Sequence, residues 1–115
     1  MKLLLAFLLM MTMMGASDAL VTLQITPAVQ LAPGKVMYHM RISPHRDNVW
    51  MCFGWDNIET LKSRTSCQQL NGIYSPRYFQ QEYTWLEAGH YSGFLHVYRA
   101  PQYLADMAAQ EFIID

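Results

Sequence analysis

Tyr91-Ser92-Gly93-Phe94-Leu95-His96-Val97-Tyr98-Arg99 is the stretch whose periodicity decides the fold class. Tyr91, Leu95 and Val97 fall on one face of an extended chain, and Phe94, His96 and Tyr98 fall on the other, which is the period of a strand. Ala100-Pro101 ends it. Working outward, Val36, Tyr38, Met40 and Ile42 alternate with Met37, His39 and Arg41 until Pro44. Leu20 to Ile25 alternates until Pro27, and Val49 to Trp55 is an aromatic-rich run bounded by Asp56-Asn57. Thr65 to Leu70 reads as a strand running into Asn71-Gly72, a strong hairpin dipeptide. Tyr78 to Trp85 and residues 107–114 complete the set, while Ile58 to Lys62 is too short and polar for a helix. About seven short strands spaced by turn signals predict one antiparallel β-sandwich over residues 20–115.

The first nineteen residues read differently. Lys2 supplies a positive start, Leu3 to Met14 is apolar except for Thr12, and Ser17 and Ala19 put small residues before the expected cut. That is the layout of a secretory signal peptide over residues 1–19, too short to span a bilayer as a helix. The expected location is secreted or periplasmic, with no stable membrane insertion after cleavage. Eight Lys and Arg against nine Asp and Glu give a net charge of -1. A surface of that charge does not displace counterions from nucleic acid.

Cys52 and Cys67 are the only cysteines. An oxidising compartment favours a structural disulfide between them. Without a CxxC spacing or a His at a ligand offset, a metal site is the poorer reading.

The segment Leu86-Glu87-Ala88-Gly89-His90-Tyr91 precedes the best strand and has the form Leu-x-x-Gly-x-Tyr. It resembles the tyrosine corner of Greek-key sandwiches, in which a Tyr hydroxyl bonds backbone a few residues upstream. Leu86 would plug the core, Gly89 would permit a tight backbone, and Tyr91 would turn inward. With this motif the chain resembles the exported bacterial-type members of the immunoglobulin-like and fibronectin type III-like superfamily. The resemblance implies a Greek-key order for the strands of the sandwich and a core Trp at position 50 or 55. It departs from antibody domains in the cysteines, both of which fall in or after the third strand.

No catalytic constellation stands out, so the chain reads as non-enzymatic and calls for no cofactor or metal. His39, His45, His90 and His96 are scattered, and no Ser sits in a nucleophile elbow. Asp47, Asp56 and Glu59 lack the dense spacing of a calcium loop. Aromatic content says more: of fifteen Phe, Trp and Tyr residues, only Phe7 lies in the leader. Phe94, His96 and Tyr98, joined by Trp50, would line an outer sheet face, a surface suited to binding. Tyr74, Tyr78 and Tyr103 offer a second. The resemblance implies a binding or interaction module engaging a protein partner through the aromatic face. The alternatives are a carbohydrate-binding module meeting a glycan, or a structural accessory domain of an envelope or virion assembly.

Overall fold

The computed structural model describes residues 20–115. The expected signal peptide at 1–19 lies outside the described residues. Eight strands follow in order: β1 (Val21–Thr26), β2 (Val29–Gln30), β3 (Gly34–Ile42), β4 (Asn48–Asn57), β5 (Ser63–Gln69), β6 (Tyr78–Leu86), β7 (Gly89–Arg99) and β8 (Tyr103–Ile114). A single 3-10 turn, Gly72–Tyr74, lies between β5 and β6. The described residues are all-β, as the period-2 runs predict. One sheet has the order β1-β3-β6 and the other β2-β8-β7-β4-β5. All pairings are antiparallel except β2 with β8. No helix among the described residues is long and apolar enough to cross a membrane.

The alternation explains what each sheet buries. Val36, Tyr38, Met40 and Ile42 of β3 face Met51 and Phe53 of β4, Tyr91, Leu95 and Val97 of β7, and Phe112 and Ile114 of β8 in one core. Rings order its centre: Tyr91 stacks on Phe112 at 4.9 Å, and Tyr38 meets Tyr83 edge-on at 5.0 Å. Such pairs add about 0.5–1.5 kcal/mol each beyond their buried area. The Tyr38 hydroxyl donates to the Gly54 carbonyl at 2.6 Å, which ties the two sheets through the core. At the sheet edge, the Gln110 side-chain amide accepts from the Ile25 N–H at 2.9 Å and donates to its carbonyl at 2.8 Å. One side chain thereby satisfies both backbone groups of a β1 residue.

Several local expectations change. Asn71-Gly72 does not make a hairpin, because β5 pairs with β4 in one sheet while β6 pairs with β3 in the other. Gly72 takes φ +55° in the 3-10 turn, and the chain crosses between sheets there. The last strand begins at Tyr103 rather than 107, since β7 offers a partner along its whole length. The disulfide joins adjacent strands of one sheet, unlike the inter-sheet bridge of antibody domains.

Candidate functional site

The candidate site is built on the outer face of the five-stranded sheet. In β7, Tyr91, Gly93, Leu95 and Val97 point inward and are buried, which leaves Phe94, His96 and Tyr98 half-buried on the outside. In β4, Met51 and Phe53 are inward, so Trp50 and Cys52 share the outer face. Register then lines residues up across four strands. Cys67 stands opposite Cys52, Cys52 opposite His96, and His96 opposite Met107. The neighbouring row is Gln69, Trp50, Tyr98 and Leu104. Phe94 and His96 rings lie 5.1 Å apart, and those of His96 and Tyr98 6.4 Å.

Cys52 and Cys67 are bonded, with their Cα atoms 4.1 Å apart. Cys67 belongs to the exposed edge strand β5, whereas Cys52 is half-buried. An open depression of about 420 Å³ lies over the pair, lined by Trp50, Cys52, Cys67, Tyr98 and Gln102. Trp50 is 39% exposed and Met107 55%, so the face around the bridge is apolar and accessible. Trp55 instead packs edge-on against Tyr91 at 5.1 Å, at the margin of the core.

The remaining sequence candidates lie apart from this face. The Tyr91 hydroxyl donates to the Glu87 carbonyl at 2.7 Å, Leu86 is buried, and a Cβ on Gly89 would come within 2.6 Å of the Asn57 amide nitrogen. His39 sits among Thr26 and Gln80 on the three-stranded sheet. His45 lies beside Asp47, and His90 pairs with Glu111 at 3.3 Å. Glu59 accepts the His90 backbone N–H, so Asp47, Asp56 and Glu59 make no common site. Tyr74, Tyr78 and Tyr103 are exposed on separate elements. Burial, the largest cause in each case, raises the phenol pKa values of Tyr38, Tyr83 and Tyr91.

No family profile and no curated protein sequence matches this chain. Solved structures do match in fold. A superoxide reductase (neelaredoxin) variant from Ignicoccus hospitalis superposes with a TM-score of 0.66 at 11% identity, over 90% of this chain and 86% of that one. A second variant of the same enzyme gives 0.65 at 11% identity, over 91% and 87%. A family 76 glycoside hydrolase from a bovine Bacteroides thetaiotaomicron strain gives 0.56 at 10% identity, over 82% of this chain and 20% of that one.

These findings correct the sequence reading. The immunoglobulin-like and fibronectin type III-like assignment is overturned, because the high-coverage matches are superoxide reductases. The Leu-x-x-Gly-x-Tyr motif carried that assignment, and it specifies only a local turn and hydrogen bond. The non-enzymatic reading falls with it, as do the binding-module, carbohydrate-module and accessory-domain functions drawn from the same resemblance. At this identity the likeness is one of fold.

Reducing superoxide is a one-electron step, which a redox metal with several imidazole or thiolate ligands would supply. The residues here do not fit such a centre. The four histidines lie at four separate places, both cysteines are bonded to each other, and no group of three or more His, Cys, Asp or Glu among the described residues is arranged to hold a metal. Sequence reasoning named the aromatic face and the disulfide separately and missed that they coincide. Strand parity already put Trp50 and Cys52 on one face; the pairing that brings His96 beside Cys52 was not readable.

Proposed function

We propose that this protein is an exported thiol–disulfide oxidoreductase whose redox group is the Cys52–Cys67 disulfide. One observation carries the reading: the bridge lies at the surface, with Cys67 exposed in an apolar depression beside Trp50 and Tyr98. A fold shared with oxidoreductases is consistent with it. The substrate is a dithiol of a partner protein, and the exported location belongs to the proposal.

Exchange begins with a substrate thiolate attacking Sγ of Cys67, the accessible sulfur. A substrate–Cys67 disulfide forms, the Cys52–Cys67 bond breaks, and Cys52 leaves as a thiolate. The second substrate thiol then attacks the substrate sulfur of the mixed disulfide and releases Cys67. Two electrons and two protons pass from the dithiol to the protein, which becomes a dithiol as the substrate becomes a disulfide. Leaving is faster for a sulfur whose thiolate is stabilised. His96, opposite Cys52 in the register, is placed to take part in that stabilisation. Phe94, Tyr98 and Trp50 hold the apolar part of the substrate segment.

The test is mixed-disulfide trapping. A Cys52→Ser variant keeps Cys67 as a lone thiol, so a disulfide-bonded peptide should be captured on Cys67 and stay there. Cys67→Ser should capture much less, because its remaining sulfur is half-buried. The proposal fails if the native bridge is opened by a dithiol no faster than the protein unfolds.

A further inference from the structure

Cys67 belongs to the edge strand β5, and three observations fix which way the backbone of that strand points. The Leu70 N–H donates to the Val49 carbonyl at 2.8 Å, and the Asn57 N–H donates to the Lys62 carbonyl at 2.7 Å. Even-numbered residues from 62 to 70 therefore turn their backbone groups toward β4. Cys52 and Cys67, with Cα atoms 4.1 Å apart, are correspondingly the narrow, non-hydrogen-bonded kind of antiparallel pair. The N–H and C=O groups of Ser63, Thr65, Cys67 and Gln69 thus point away from β4, and no backbone hydrogen bond among the described residues takes them up. We infer that the substrate is an extended, cysteine-containing polypeptide segment that pairs antiparallel with this edge of β5 and sets its cysteine opposite Cys67. The inference rests on the exchange proposed above and adds the form its substrate takes.

Strand pairing places the substrate sulfur. A residue opposite Cys67 on the free side forms the wide, hydrogen-bonded kind of pair, with Cα atoms about 5.5 Å apart. Its side chain shares the outer face with Cys67, and disulfides most often span about that separation. The substrate, Cys67 and Cys52 sulfurs then stand in a row across three adjacent strands. That is the in-line order for displacement at Sγ of Cys67, where the substrate sulfur bonds as the Cys52 thiolate leaves. The residue two before the substrate cysteine falls opposite Gln69, in the row that continues to Trp50 and Tyr98. An apolar side chain there reaches the margin of the depression over the bridge.

The edge is open to such a strand. Free edges are commonly blocked by lysine or proline, and β5 has neither. Its one charged residue, Arg64, lies over the Tyr83 ring at 5.5 Å, toward the other sheet and not across the edge. β1, an edge of the smaller sheet, is closed at Ile25, where Gln110 occupies both backbone groups. An added strand gains main-chain hydrogen bonds whatever its side chains, which suits a site that acts on many segments.

The test follows capture by the lone Cys67 thiol of the Cys52→Ser variant. The probe is a seven-residue peptide whose one central cysteine is disulfide-bonded to a coloured aromatic thiol. The Cys67 thiolate bonds to the peptide sulfur, and the released aromatic thiol reports the rate. The peptide should react at least about tenfold faster than a small aliphatic disulfide of the same aromatic thiol, since it gains several backbone hydrogen bonds. N-methylation two residues before or after the cysteine removes an N–H that faces β5 and should slow capture about tenfold, the upper range for one hydrogen bond. N-methylation one residue before or after it alters an N–H that points away and should leave the rate unchanged. Thr65→Pro removes an outward donor of β5 while sparing the bonds to β4, a change that edge strands accept. It should slow the peptide and not the small disulfide, with circular dichroism confirming the strands. A peptide captured no faster than the small disulfide, equal rates for all methylated peptides, or slowing at the nearest positions instead would each overturn the inference. The alternating methylation pattern with a native bridge that no dithiol opens would refute the proposed function alone. Dithiol exchange without that pattern would refute this inference alone.

Discussion

Raising the pH above about 10 is expected to destabilise the fold through its buried phenols. Tyr38 is fully buried, its hydroxyl donates to the Gly54 carbonyl, and its pKa is pushed well above the usual tyrosine value. Burial is the main cause, with Tyr83 and Asp56 adding to it. The sign follows from proton counting. Above the unfolded pKa of about 10 the unfolded chain has lost this proton while the folded chain keeps it, so stability falls as pH rises. Below that value both states hold the proton and Tyr38 contributes no slope. At full separation the slope is about 1.4 kcal/mol per pH unit, and integrating from pH 8 to pH 11 gives a loss of about 1.4 kcal/mol from Tyr38 alone. Tyr83 and Tyr91 are shifted in the same direction and steepen the fall. Urea denaturation at several pH values between 8 and 11, followed by Trp fluorescence, measures it. Tyr38→Phe should be less stable at pH 8, because the Gly54 carbonyl loses its donor, but should show the shallower pH dependence. Parallel curves for the two proteins would refute the reasoning.

Three further outcomes follow from the packing. Tyr91→Phe should cost about 0.5–1.5 kcal/mol in urea denaturation, since it removes the bond to the Glu87 carbonyl and leaves the ring stacked on Phe112. Gly54→Ala should cost more than about 2 kcal/mol, because the new Cβ would lie 1.8 Å from the Arg64 carbonyl oxygen and force β5 away from β4. A variant that retains its melting temperature would contradict that register. Reducing the Cys52–Cys67 bridge should lower stability by about 3 kcal/mol, the chain-entropy value for a loop of this length, while circular dichroism still reports the strands.

Strands β3, β4 and β7 were legible because each has one face in the core and one turned outward, which writes a period of two into the sequence. Proline marked the ends after β1 and β3 and at the turn from β7 to β8. Pairing was much less legible. Asn71-Gly72 is the chemistry of a hairpin, yet the strands around it belong to different sheets, since a dipeptide fixes a turn and not the partner of the strand that follows. The Ala-rich start of β8 carries little strand preference of its own and is held extended by β7. The corner motif misled for a related reason: it fixes contacts over six residues, and families are distinguished by how all the strands are arranged. The candidate site fell between these cases. Parity showed which residues of β4 and β7 face outward, but register sets which stand side by side, and register depends on loops whose geometry the sequence does not spell out.

Where the bridge sits decides whether a redox cycle is compatible with a stable fold. A disulfide joining the two sheets would open the core when reduced. This one joins β4 to the edge strand β5, and β4 keeps its whole ladder to β7 on the other side. β5 gives the core almost nothing: six of its seven residues are exposed and the other is half-buried. Opening the bridge therefore loosens a strand whose apolar contribution is small, and Met51, Phe53, Leu95 and Val97 stay packed beneath the site. The loss from chain entropy is of the order of 3 kcal/mol, within the 5–15 kcal/mol that a domain of this size has to spare. A surface bridge on an edge strand can thus be made and broken without unfolding the protein that carries it, and this is the physical requirement that the proposed exchange places on the fold.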